Sequence, residues 1–221
     1  MLIPARFNGP PGTGNGGWCS GVFAVAAGAR TGGPPFQVTL RVPPPLETTL
    51  ELRDDTVLAG DTLVAEVLEV AGVGDDVPPV PLATAVEASR GYPGFVTHPF
   101  PTCFVCGPGR PGKDGLEIFP GVLPDGRTAA PWTVPDDVSV PTLWAALDCP
   151  GGWAAIARGQ AYVLGRIAAR VDALPAPGAE CVVVGAASEI AGRKATVDST
   201  VYGPGGQRLA SARATWIAVI K

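Results

Sequence analysis

NGGWCSG occupies residues 15–21, and a near-copy, CPGGWAA, occupies residues 149–155. Each Gly-Gly-Trp heads a run of small and apolar residues: CSGVFAVAAGA after the first and AAIARG after the second. The first run has no internal proline and reads as a helix buried on nearly all sides. If the chain is an internal duplication, the two tripeptides mark equivalent helix starts in its halves.

The flanking sequence supports that reading. Gly32-Gly33-Pro34-Pro35 closes the first helix. FQVTLRV (36–42), TTLELRD (48–54) and TLVAEVLEV (62–70) read as strands, and PLATAVEASR (81–90) closes the first half. In the second half GRTAAPWTV (126–134) reads as a strand, and 141–159 as a helical segment broken or kinked near Pro150. YVLGRIAARV (162–171), 181–190, 195–203 and 208–220 read as strands. Four landmarks align in order: Gly16-Gly17-Trp18 with Gly151-Gly152-Trp153, and the proline-rich connector before Glu47 with that before Glu180. Then come Leu58-Ala59-Gly60 with Ile190-Ala191-Gly192, and Leu82-Ala83-Thr84-Ala85 with Leu209-Ala210-Ser211-Ala212. Each unit is a helix followed by about four antiparallel strands, and the second has a further strand before its helix.

This order resembles the hotdog fold, a long helix wrapped by an antiparallel sheet. The pair is similar to the double-hotdog proteins of the acyl-CoA thioesterase and dehydratase superfamily, over about 15–90 and 126–220. FNGPPGTGNGGW also resembles the helix entry of thioesterase-like members. The expected fold is therefore α+β, with an N-terminal hotdog unit at 1–92, a linker at 93–125 and a C-terminal unit at 126–221. The resemblance implies an acyl-CoA or related thioester bound between the units, with a homo-oligomer as a further expectation.

Composition excludes several classes. The net charge is −4 with no basic run, so there is no electrostatic footprint for nucleic acid. No apolar stretch approaches the ~18–20 residues that span a bilayer, and MLIPARFNGPPG lacks the regions of a signal peptide. A cytoplasmic chain is the expectation. Five cysteines are an odd count, which argues against a disulfide framework.

The linker holds the one histidine, His98, and Cys103-x-x-Cys106. A structural zinc site takes four N or S ligands. Here a fourth would come only through the fold, from Cys19, Cys149 or Cys181, and there is no second Cys-x-x-Cys. The favoured reading is a knuckle-like turn of packed cysteines with no metal and no cofactor, ahead of zinc at Cys103 and Cys106. Redox chemistry ranks last, because glycine and proline flank the pair. Arg110 and Lys113, in a Gly/Pro-rich turn near Gly107, are alternative contacts for coenzyme A phosphates.

In hotdog thioesterases the helix N-terminus faces the thioester carbonyl, where free N–H groups and the helix dipole stabilise an oxyanion. Gly16 and Gly17, or Gly151 and Gly152, suit that role, and the plainer reading is tight packing with Asn15 as N-cap. Hydrolysis also needs a base, and neither helix after Gly-Gly carries an acid. Asp148, alone in LWAALDCPGGWAAIA, is the candidate, with Asn15 beside the oxyanion donors. A capping or structural Asp148 is the alternative. Ser20 and Cys149 are lesser candidates as nucleophiles. There is no Gly-x-Ser-x-Gly, and Gly12-x-Gly14 follows no strand, which removes a dinucleotide site. A dehydratase would want a catalytic histidine, which ranks it last. The expectation is an acyl-CoA thioesterase-like protein, and the alternative is a non-catalytic ligand-binding protein on the same fold.

Overall fold

Asn15 caps the first helix as expected: its Oδ1 accepts from the Trp18 N–H at 2.8 Å. The computed structural model describes residues 1–156 and 161–219. Helix α1 is Gly16–Ala26. Strands β1 (Phe36–Leu40), β2 (Glu51–Arg53), β3 (Thr56–Ala59) and β4 (Thr62–Glu69) follow, then helix α2 (Leu82–Arg90). The remainder is β5 (Gly121–Val122), β6 (Thr128–Thr133), helix α3 (Val140–Ile156), β7 (Tyr162–Val171), β8 (Glu180–Ala191), β9 (Lys194–Tyr202) and β10 (Arg208–Ala218).

Among the described residues the strands lie in one 10-stranded sheet of order β2-β3-β4-β1-β7-β10-β9-β8-β6-β5. In the C-terminal half, α3 is followed by strands ordered β7-β10-β9-β8, with β6 beside β8. In the N-terminal half, α1 is followed by β1-β4-β3-β2, the same path. The halves join where β1 pairs antiparallel with β7, Phe36 opposite Ala169 and Thr39 opposite Arg166. This is the α+β, double-hotdog architecture that the resemblance implied. The counterpart of β6 in the first half is reduced to a bridge between Leu2 and Thr49, flanked by the Met1 amino group donating to Leu50 O at 2.6 Å.

The two helices cross one face of the sheet in contact with each other. A Cβ on Gly17 would lie 2.5 Å from Asp148 Cβ and 2.7 Å from Trp144 O, and one on Gly21 would lie 2.6 Å from Pro141 Cα. Glycine at these positions lets the helix backbones meet, and Phe23, Trp144, Leu143 and Leu147 fill the core around them. The opposite face of β6 and β8 carries a smaller core: Val182, Val184 and Ala129 pack there with Val77 and Ala85. Alternate residues Cys181, Val183 and Ala130 join the main core, as the two-residue period of a strand requires.

Several landmarks of the duplication do not survive. Gly151-Gly152-Trp153 lies deep inside α3, not at a helix start. Residues 140–156 form one continuous helix across Pro150, whose carbonyl accepts from Thr128 Oγ1 at 2.6 Å. Leu58-Ala59-Gly60 turns from β3 to β4, the counterparts of β9 and β10, whereas Ile190-Ala191-Gly192 turns from β8 to β9. Residues 82–85 are helical in α2 while 209–212 are in β10. Only the connector before Glu47 and Glu180 keeps its place, between equivalent strands. Residues 71–90, expected in the N-terminal unit, pack on the C-terminal half: Thr200 Oγ1 accepts from Val77 N at 2.9 Å, and Tyr202 O–H donates to Val77 O at 2.8 Å. Residues 157–160, in the expected helical run, and residue 220 of the last strand lie outside the described residues.

Candidate functional site

Asp148 sits on α3 where that helix crosses the start of α1, and it is 2% exposed. Its Oδ2 accepts from the Gly17 backbone N–H at 3.0 Å and from Asn15 Nδ2 at 3.1 Å. Its Oδ1 has no partner among the described residues. Burial pushes the carboxyl up to about 7, Cys103 nearby adds to the rise, and the Gly17 and Asn15 donors oppose it.

Asn15 works in two directions: Oδ1 caps α1 and Nδ2 holds Asp148. The first turn of α1 is thus largely committed, with Gly17 N–H on the carboxylate and Trp18 N–H on the cap. Gly16 N–H has no partner among the described residues, and the positive end of the helix dipole lies there.

The site adjoins a cavity of about 500 Å³. Asn15, Gly16 and Asp148 line it together with Cys103, Cys106, Cys149, His98 and Trp153. The rest is mostly apolar, with Leu40, Phe100, Ile156, Leu164 and Trp216, and prolines 10, 11, 43 and 44. Arg41 lines it too and is ion-paired with Glu66.

The structure brings Asn15, Gly16, Gly17 and Asp148 together from the two halves. It does not bring Gly151, Gly152 or Arg110. A Cβ on Gly151 would meet Ser199 Oγ at 2.6 Å, and one on Gly152 would meet the Trp216 ring at 2.5 Å. These glycines seat α3 on β9 and β10, so they are packing residues and not oxyanion donors. Gly17 is corrected in part, since its N–H already serves Asp148. The Arg110 side chain is 9% exposed and engages Asp114 Oδ1 at 2.6 Å, Asn8 Oδ1 at 2.6 Å, Thr102 O at 2.8 Å and Arg6 O. It stacks on Phe104 and pins the linker, with no donors left to aim at a phosphate. Among the described residues no reciprocal site is built: α1 carries no acid, and Pro141 in the first turn of α3 lacks an N–H.

The linker cysteines fold onto the same cavity. Cys103, Cys106 and Cys149 are buried, and their sulfurs lie within 4.8 Å of one another. His98 Nε2 is 3.4 Å from Cys106 Sγ, and its Nδ1 accepts from Phe100 N at 2.9 Å. Trp153 Nε1 donates to Cys106 Sγ at 3.5 Å, and Asn15 Nδ2 is 3.8 Å from Cys103 Sγ. Hydrogen bonds from the Cys106 and Cys149 thiols hold the Cys103 thiol well below its ordinary value. Burial first, then the Cys103 sulfur, pushes Cys106 well up. Sequence reasoning named Cys149 only among three distant candidates, since no local spacing links residue 149 to residue 103. Ser20 is fully buried without a partner among the described residues, and it does not line the cavity.

Solved structures share this architecture. The chain superposes on a protein from Novosphingobium aromaticivorans assigned as a thioesterase, with a TM-score of 0.67, 18% identity, and coverage of 99% of this chain and 94% of that one. A TesB protein from Mycobacterium avium subspecies paratuberculosis matches with a TM-score of 0.60, 13% identity, and coverage of 100% and 91%. No family model and no curated protein matches the sequence. Among the described residues no helix is long and apolar enough to cross a membrane.

Proposed function

We propose that this double-hotdog, thioesterase-like chain binds an acyl thioester in the Asp148 cavity and hydrolyses it. The observation that carries the reading is the pairing, in one apolar cavity, of Asp148 Oδ1 and the Gly16 N–H, contributed by different halves and both without a partner among the described residues. The thioester carbonyl oxygen sits at Gly16 N–H. Asp148 takes a proton from water as the water oxygen attacks the carbonyl carbon. The tetrahedral oxyanion is stabilised by Gly16 N–H and the dipole of α1. Its collapse breaks the C–S bond, and Asp148 returns the proton to the leaving thiolate. Asn15 orients Asp148 through Oδ2 and leaves Oδ1 for the water. The apolar lining suits an acyl or aryl group, and Arg41 replaces Arg110 as the basic group for a coenzyme A phosphate.

The second reading is ligand binding without turnover. It rests on Gly17 N–H, which Asp148 occupies and which therefore gives no second oxyanion donor. Hydrolysis of an acyl-CoA panel, short to long and aryl, with thiol release as the readout, separates the two. Turnover that Asp148→Asn abolishes supports the hydrolase. Saturable binding with no turnover supports the binding protein.

A further inference from the structure

We propose that Cys103, Cys106 and Cys149 form a binding site for a zinc-class cation, which ties the linker to α3 beside the cavity. Three sulfurs from two distant parts of the chain converge, two from a Cys-x-x-Cys loop and one from a helix, all mutually within 4.8 Å. A zinc–sulfur distance of ~2.3 Å puts tetrahedral ligand sulfurs ~3.8 Å apart, so the cluster needs only a small contraction. Soft thiolates in this number select zinc and its chemical kin over calcium or magnesium.

The surroundings are built for sulfur as an acceptor. Trp153 Nε1–H points at Cys106 Sγ, and Asn15 Nδ2 at Cys103 Sγ. The Phe100 N–H bond to His98 Nδ1 fixes the imidazole proton on Nε2, 3.4 Å from Cys106 Sγ. His98 is therefore an N–H donor to a ligand sulfur and not itself a ligand, which is the outer-shell arrangement that supports metal-bound thiolates. The loop is pre-shaped. Gly107 N donates to Cys103 O at 3.0 Å, and any Cβ on Gly107 would collide with Cys103 N. The backbones of Phe104 and Val105, between the two cysteines, are bonded to Asn8, Leu116 and Ile118.

Arg41, with its own carboxylate partner, is the sole arginine or lysine among the residues lining the cavity, so little positive charge opposes a cation there. Binding forms three S–metal bonds and releases the thiol protons to solvent. Three protein sulfurs would leave the fourth coordination position to water, the open type of zinc site and not the closed four-ligand type.

The test is metal analysis of the full chain, purified reduced, followed by chelation and titration with cobalt(II) as the spectroscopic stand-in. The expected result is about one zinc per chain as isolated, and thiolate-to-cobalt charge-transfer absorption that saturates at one equivalent. Cys149→Ser removes the band, Cys181→Ser keeps it, and His98→Ala keeps the stoichiometry while weakening affinity ~10–100-fold. No charge-transfer band in wild-type protein, with every thiol titrating as reduced after denaturation, overturns the proposal. So does cobalt binding that survives Cys149→Ser. The wild-type titration decides the matter even where a variant fails to fold.

Discussion

Asp148 Oδ2 accepts a hydrogen bond from the Gly17 N–H at 3.0 Å, so the carboxylate of one half is held by the helix terminus of the other. The bond fixes one carboxylate oxygen and leaves the second, buried, with no partner among the described residues. It also makes the site a property of the contact between α1 and α3, not of either helix alone.

Asp148→Asn keeps the shape and an oxygen for Gly17 N–H but removes the carboxylate proposed as the base. The expected loss in kcat is ~10²–10⁴-fold with the melting temperature little changed, the usual scale for removing a general base. Steady-state kinetics and a thermal melt on the same preparation check it. Unchanged kcat would move the base elsewhere.

Gly17→Ala places a Cβ 2.5 Å from Asp148 Cβ. Neither helix has room to yield, so the expected cost is ~1–3 kcal/mol, the scale of overpacking, together with loss of activity as Asp148 shifts. Gly72→Ala, with no atom within 4 Å of the added Cβ, is the matched control and leaves both unchanged. Denaturant unfolding of the two variants gives the comparison.

Arg110 lowers the Asp114 carboxyl below its ordinary value by hydrogen bonding and charge. A depressed folded-state value means the pair stabilises fully above the unfolded carboxylate value and is lost as pH falls through the folded one. Asp114 is half-exposed, so the effect is modest. Asp114→Asn is expected to be less stable than wild type by ~0.5–1 kcal/mol at pH 7, and equal to it at the acid end, near pH 2. Arg110→Ala costs more, ~1–3 kcal/mol, because it also takes the donors from Asn8 Oδ1 and the Arg6 carbonyl. Chemical denaturation across that pH range reads both.

Arg41→Ala is expected to raise KM for acyl-CoA substrates several-fold, and to leave KM unchanged for thioesters of a short, uncharged thiol. The comparison isolates a phosphate contact from the acyl pocket. Equal effects on both would remove Arg41 from the binding surface.

Residues with strong local signals were readable in the sequence. Asn15 reads as a cap because a short polar side chain precedes an apolar run, and Asp148 stands out as the one acid in an apolar stretch. Gly-Gly-Trp misleads because glycine serves two different needs: a helix start at 16–17 and sheet contact at 151–152. PLATAVEASR holds good helix formers with Leu82, Ala85 and Val86 on one face, and aligning it to the strand at 209–212 obscured that period. Arg110 has its partner four residues on at Asp114, a spacing visible in the sequence, but Asn8 and Thr102 join it only through the fold. Strand order and the meeting of Cys149 with Cys103 are likewise long-range facts that no local pattern encodes.

The pairing of β1 with β7 has an evolutionary consequence. In a symmetric dimer every substitution appears twice, so an acid lost from one helix is lost from both. Here the partners are covalently joined and each half changes alone. Helix α1 carries no acid, whereas α3 carries Asp148 and has Pro141 in its first turn; a single chain can encode that difference, and a dimer of identical units cannot.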